Sequence, residues 1–186
     1  MGIADNCETM TPSTQNSLEP LKRNDLCQIL WMLTMNFTTN EQDQREAEKL
    51  QARLRKSASD SDDDEGNNIH QRIPNVEIAE GAHKYVLISA IFPRSNERQY
   101  FVVSKRNAAY HRNAAEPFVE KLERSGYKSI SILGGGRIDL NTQRQKLKIY
   151  GYSYGFGLAD HAISKSVVEK DPKFKDYEIT WSNEGY

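Results

Sequence analysis

Hydrophobic and polar positions change texture at about residue 73. Beyond it, apolar residues come in short dense runs. Residues 84–92 (KYVLISAIF) read as a β-branched strand central in a sheet, and residues 99–104 (QYFVVS) as a second strand. Residues 107–126 place Phe118, Val119 and Leu122 on one helical face, with Gly126 as the stop signal. Pro117 must fall in the first turn or at a kink, so the start of the helix lies between Asn107 and Asn113, with His111 just before or within its first turn. Residues 129–133 form a third strand that ends at Gly134-Gly135-Gly136. Residues 137–140 and 146–152 then make a hairpin around Asn141-Thr142-Gln143; in Lys146-Leu147-Lys148-Ile149-Tyr150, basic and apolar residues alternate as on a half-exposed strand. A short helix runs from Ser164, its N-cap, to about Lys170, and residues 177–181 (YEITW) close the pattern as a strand. About six strands and two helices over residues 73–186 predict a single small α/β (α+β) domain with a mixed sheet.

Residues 1–72 read differently. The first 20 are polar and aperiodic, a composition that does not support a core. Residues 26–37 (LCQILWMLTMNF) suggest a short helix that is apolar on most sides. Residues 41–56 (EQDQREAEKLQARLRK) are good helix formers whose large apolar members, Leu50 and Leu54, sit at i,i+4. So small an apolar face predicts docking on the main domain or on a partner protein. The acidic serine run at 57–66 predicts a solvated linker, and the acids after Ser59 and Ser61 also suit a kinase. The expectation is a partly helical, largely disordered N-terminal extension over 1–72.

Composition adds exclusions. Hydrophobic residues make up 37% of the chain, less than a wholly globular one of this length would carry. A net charge of -1, from 25 basic and 26 acidic residues, gives no global attraction for nucleic acid or anionic membrane, so any affinity for phosphate must be local. Cys7 and Cys27 form no C-x-x-C pair, and no His/Cys spacing suits zinc, which argues against disulfides and a metal and for a reducing compartment. The apolar run at 26–37 is shorter than the ~20 residues of a bilayer span. Glu19 and Asp25 precede it and no A-x-A-like site follows, so a signal peptide is not expected and a cytoplasmic monomer is.

Three features could carry chemistry. Gly134-Gly135-Gly136-Arg137 brings a guanidinium fork to a backbone able to turn tightly, and that fork suits phosphate or carboxylate. It is neither a Walker loop nor a Rossmann fingerprint, and alone it reads first as a glycine-rich hairpin with a surface arginine. In Tyr150-Gly151-Tyr152-Ser153-Tyr154-Gly155-Phe156-Gly157, glycines alternating with aromatics could expose backbone N–H groups as an anion-holding nest, with Ser153 as a further donor. A glycine-relieved strand with packed tyrosines is the alternative. Of the four histidines, His70 and His83 read as solvated bystanders, whereas His111 and His161 sit at element boundaries near the glycine-rich segments. The residues alone imply an anion-binding domain with an available histidine.

Taken together and in order, Gly134-Gly135-Gly136-Arg137-Ile138, Tyr150-Gly151-Tyr152-Ser153, His161-Ala162-Ile163-Ser164 and the segment from Asp176 through Tyr177-Glu178-Ile179-Thr180-Trp181 to Tyr186 are more specific. This set closely resembles the 14 kDa phosphohistidine phosphatase family, also called the Janus family. Lys84-Tyr85-Val86-Leu87-Ile88 and Tyr110-His111 fit its N-terminal half. The resemblance covers about 110 residues and nothing before about Pro74. It implies a metal-independent, cofactor-free phosphatase acting on phosphohistidine, and to some degree phospholysine, in protein substrates. By position, His111 corresponds to the proton acceptor and Lys84 to a substrate-binding lysine. Ser153, Tyr154 and Gly155 correspond to the phosphate-holding segment, Arg137 to a supporting arginine, and His161 to a supporting histidine. One departure is clear: the family has an arginine eight positions before the catalytic histidine, and here that position is Val103. Either Lys105 or Arg106 replaces it, or the site has one positive charge fewer. The second departure is Pro117, in a helix that the family keeps uninterrupted. Loss of turnover with retention of the phosphate cradle, giving a non-catalytic reader or regulator, is the alternative that Val103 supports.

Overall fold

The computed structural model describes residues 41–59 and 72–185. The predicted helix at 26–37, both cysteines, His70 and most of the acidic linker lie outside the described residues. Apolar β-branched residues build the spine. Strand β2 (Gly81–Ile91) pairs antiparallel with β3 (Arg98–Ser104) on one side and with β4 (Lys128–Asn141) on the other. Residues 85–90 of β2 are buried on both faces, which is why the run shows no polar alternation. The short β1 (Val76–Glu77) pairs parallel with β3; β5 (Lys146–Tyr150) pairs antiparallel with β4, and β6 (Glu178–Ser182) parallel with β5. The result is a mixed six-stranded sheet in the order β1-β3-β2-β4-β5-β6.

Helices cover both faces, giving an α+β fold. Helix α1 (Glu41–Ser59) and helix α2 (His111–Arg124) lie on one face, and helix α3 (His161–Glu169) on the other. On the first face Val86, Ile88, Phe101 and Val103 pack against Ala115, Phe118, Val119 and Leu122. On the second, Tyr85, Leu87, Ile138, Leu147 and Ile149 pack with Val168 of α3 and with Phe174 of the 3-10 turn Pro172–Phe174. Helix α1 does dock on the main domain. Ala47, Leu50 and Leu54, one stripe of that helix, enter the same core cluster as α2. At its margin Arg53 faces Glu116, Glu120 and Glu123 at 3.7, 3.8 and 3.0 Å, and Glu46 pairs with Arg112. Among the described residues no helix is long and apolar enough to cross a membrane.

Three elements differ from the sequence expectation. The glycine run makes no turn: Gly134, Gly135 and Gly136 lie inside β4, which continues to Asn141, with a register shift opposite Leu87/Ile88. Helix α2 begins at His111, where the Tyr110 backbone N–H donates to Asn113 Oδ1 at 2.9 Å, and it runs through Pro117 rather than starting near it. Pro117 withholds one N–H from the helix, but Ala114, Ala115, Phe118, Val119 and Leu122 are buried around it, and that burial outweighs one lost hydrogen bond. Gly126, at φ 76°, ends the segment as expected. Helix α3 is capped by Asp160, whose Oδ1 accepts from the Ile163 N–H at 3.0 Å. Ser164 sits inside α3, buried, with its Oγ donating to the Asp160 carbonyl at 2.9 Å.

Leu122 is fully buried where α2 meets the sheet. Leu122→Ala is expected to lower stability by about 2–5 kcal/mol, read as a lower urea midpoint with an unchanged denaturant slope.

Candidate active site

The glycines of β4 are required by close approach. A Cβ at Gly135 would lie 2.7 Å from the Tyr85 carbonyl oxygen, 3.0 Å from His111 Cδ2 and 3.1 Å from Ser153 Cβ. One at Gly136, on the other face, would lie 2.6 Å from the Tyr150 carbonyl oxygen and 3.0 Å from that of Gly151. The connection after β5 is thereby pinned to β4: Gly135 N–H donates to Gly157 O at 3.0 Å and Ala159 N–H to Gly135 O at 3.2 Å. Within this loop Ser153 N–H donates to Gly157 O at 3.1 Å, and Gly157 N–H returns the bond to Ser153 O at 2.9 Å. The Ser153 hydroxyl is used locally, as acceptor from Phe156 N–H at 3.1 Å.

His111 is the first residue of α2 and is completely buried. Its Nε2 lies 3.0 Å from the Gly136 carbonyl, an acceptor only, so Nε2 carries the proton of that bond. The remaining ring nitrogen, Nδ1, faces Asp43 Oδ2 at 3.5 Å. His161 obeys the same rule on the opposite side of the sheet. Its Nε2–H donates to Gly151 O at 2.8 Å, which leaves Nδ1 to accept from the Tyr85 hydroxyl at 2.6 Å, with Ser164 Oγ 3.2 Å from the same hydroxyl. Burial lowers the His161 pKa and raises that of the Tyr85 phenol, so both stay neutral in this network.

Lys84 and Arg137 are cross-strand partners in β2 and β4, half-buried, on the face that carries Gly135 and His111. Lys84 Nζ reaches the Ala108 carbonyl at 3.5 Å, just ahead of α2. Tyr154 packs edge-on against Tyr152, ring centroids 5.1 Å apart. Lys105 and Arg106 are exposed on the β3–α2 connection, and the charge of Arg106 is felt by Glu80. Val103 is buried in β3, opposite Val86 and Glu77, inside the core. Thus His111, Lys84, Arg137, Ser153 and Gly155 are gathered at one end of one sheet face, and His161 supports the loop from behind.

The sequence reading missed Asp43. It lies four residues before Ala47 and seven before Leu50, so it falls on the docked stripe of α1, and it is 3% exposed. Burial pushes its pKa up. The His111 side chain, by hydrogen bonding and charge, and the backbone N–H groups of His111 and Gly155 outweigh that and hold the carboxyl below its ordinary value. An acid on the apolar face of a helix was the available signal. Among the described residues, no group of three or more His, Cys, Asp or Glu side chains could hold a metal ion.

The model of the Janus/Ocnus family matches residues 70–178. This chain belongs to the Janus/Ocnus family. It is 38% identical over 120 residues to a human protein named 14 kDa phosphohistidine phosphatase, covering 61% of this chain and 94% of the relative. The pig protein of the same name is 35% identical over 121 residues, covering 62% and 94%. Sex-regulated protein janus-A of Drosophila melanogaster is 36% identical over 115 residues, covering 61% and 82%. Helix α1 precedes the family match altogether.

Two outcomes follow from this geometry. Gly135→Ala is expected to destabilise the protein by about 1–3 kcal/mol and to shift the His111 ring resonances in NMR spectra, whereas relief of a mere loop glycine would stabilise. His161 is held neutral, with a folded-state pKa below the unfolded value near ~6.5. The unfolded chain therefore takes up more protons as pH falls below ~6.5, and stability is lost in that direction. Urea midpoints measured between pH 7 and pH 5 should fall less steeply for His161→Gln than for the unaltered chain.

Proposed function

We propose that this protein hydrolyses the P–N bond of phosphohistidine, and secondarily phospholysine, in protein substrates, without a metal ion. The observation that carries the reading is the pairing of His111 Nδ1 with an anion cradle. The Asp43 carboxylate now lies there, 3.5 Å from Nδ1, and the backbone N–H groups of His111 and Gly155 help to hold its pKa down. The names of the human and pig relatives support it. The catalytic groups all come from residues 73–186, with 1–72 as an extension.

In this reading the phosphoryl oxygens take the place of that carboxylate. The His111 amide opens α2, where backbone N–H groups are free and the helix dipole is positive, so it suits an anion. Lys84 and Arg137 add fixed positive charge as the loose transition state spreads charge over the equatorial oxygens. Gly136 holds Nε2, so Nδ1 is the nitrogen available to take a proton from the attacking water. As the water oxygen bonds to phosphorus the P–N bond breaks, and the proton passes to the departing imidazole nitrogen. Direct attack of Nδ1 on phosphorus, giving a phosphohistidine intermediate, uses the same geometry, but the water route asks only for proton transfer.

The reader alternative draws on one observation. Val103 is buried in the core, so the guanidinium that the resemblance leads one to expect at that position is missing. Assays on a phosphohistidine peptide with a chelator present separate the two. Turnover by the unaltered chain, reduced about 10²-fold or more by His111→Ala, is expected. Peptide binding without turnover would convert the enzyme into a reader, and abolition by chelator would remove the metal-free claim.

A further inference from the structure

We propose that helix α1 is an intrasteric inhibitor of this site, with the Asp43 carboxylate occupying the position of the substrate's phosphoryl group. The inference rests on the phosphatase reading and extends it to regulation.

The first argument is access. His111 is 0% exposed and Ser153 1%, so no phosphohistidine side chain can reach either while α1 is docked. The covering is direct: a Cβ at Gly155 would lie 2.5 Å from Ala47 Cβ and 2.5 Å from the Asp43 carbonyl oxygen. The second is chemical likeness. A carboxylate and a phosphoryl group are both oxyanions that backbone N–H donors favour, and the Asp43 carboxylate lies 3.5 Å from His111 Nδ1, where the backbone N–H groups of His111 and Gly155 help to hold its pKa down.

The third argument is that Asp43 is not placed as an orienting carboxylate. In a catalytic triad the orienting carboxylate holds the ring nitrogen that points away from the substrate. Here the Gly136 carbonyl already holds that nitrogen, Nε2, and Asp43 lies against Nδ1. With α1 in place Nε2 is held by the Gly136 carbonyl and Nδ1 is buried against the Asp43 carboxylate, closed to water.

Docking is also suited to reversal. Its apolar part is small, limited to Ala47, Leu50 and Leu54. The ion pairs of Arg53 are partly exposed, with its side chain 38% accessible, and such pairs contribute little each. What favours the closed state is attachment, since α1 and the domain belong to one chain and intramolecular docking acts at an effective concentration on the order of millimolar. Activity then scales with the fraction of molecules in which α1 is lifted.

Two variants of the full chain test this. Arg53→Glu places a negative charge beside Glu116, Glu120 and Glu123 and disfavours docking without touching the core. Asp43→Ala removes the carboxylate itself. Each is expected to raise kcat/KM on a phosphohistidine peptide about tenfold or more over the unaltered chain. In parallel, inorganic phosphate is titrated while the Gly155 amide is followed by NMR, which also reports that each variant is folded. The amide should move at lower phosphate in both variants. If the unaltered chain turns over and the variants are equal or slower, inhibition is overturned and Asp43 assists His111 instead. If no form turns over, the phosphatase reading is lost, and the phosphate titration alone decides. Readier binding by the variants upholds occlusion of the cradle, and equal binding by all three forms overturns it.

Discussion

The arrangement depends on a stretch of β4 that has no side chains. At Gly135 and Gly136 the sheet is thin enough for His111 and Ser153 to close on it from one side and Tyr150 and Gly151 from the other. Bare backbone also supplies the fixed acceptors. His111 donates to the Gly136 carbonyl and His161 to that of Gly151, so the two histidines are locked in the same tautomer on opposite faces. What separates them is the environment of Nδ1. For His161 it meets a buried tyrosine hydroxyl, a neutral network whose use is structural. For His111 it meets an anion among backbone donors, which is where proton transfer can be useful.

Burying the Asp43 carboxylate beside His111 is costly unless its charge is compensated, because it lies almost wholly outside water. The compensation comes from groups that exist for another reason. The first amide of α2 is free because no preceding turn uses it, and the Gly155 amide projects from a loop held by its own hydrogen bonds between Ser153 and Gly157. A site preorganised to stabilise charge on a phosphoryl group accepts a carboxylate for the same electrostatic reason. On the proposed function, affinity for helix α1 and stabilisation of the transition state draw on one set of dipoles.

Much of the architecture was legible in the chain, and the failures have a common cause. β2 and β3 announce themselves because burial on both faces demands unbroken apolar runs, and β5 because one face is wet. The glycine run misled because glycine serves a tight turn and a crowded flat strand equally well. Only the neighbours that crowd Gly135 and Gly136, which come from β2, α2, β5 and the loop after it, distinguish the two. Pro117 misled because local propensity was overridden by burial of the residues on either side of it. Likewise the candidate site residues Lys84, His111, Arg137 and Ser153 stood out through their ordered resemblance to a family, not through spacing. Asp43 belongs to no such pattern, lies outside the family match and sits in a helix whose surface is mostly charged.

Gly155 ties the extension to the domain. Unlike Gly151 and Gly157, it does not have positive φ, so the loop's own conformation does not call for glycine there. The space that a Cβ would need is filled by Ala47 and by the backbone at Asp43, both from α1. The docked helix therefore explains the absence of a side chain at 155. Ala47 is small where it meets that backbone, and the same helix face continues into Leu50 and Leu54 in the core. Close packing on both sides of the contact makes α1 a fitted cover for the cradle. A fitted cover also brings Asp43 to His111 in one register only, since sliding α1 by a turn would drive a larger side chain into the place that Ala47 holds.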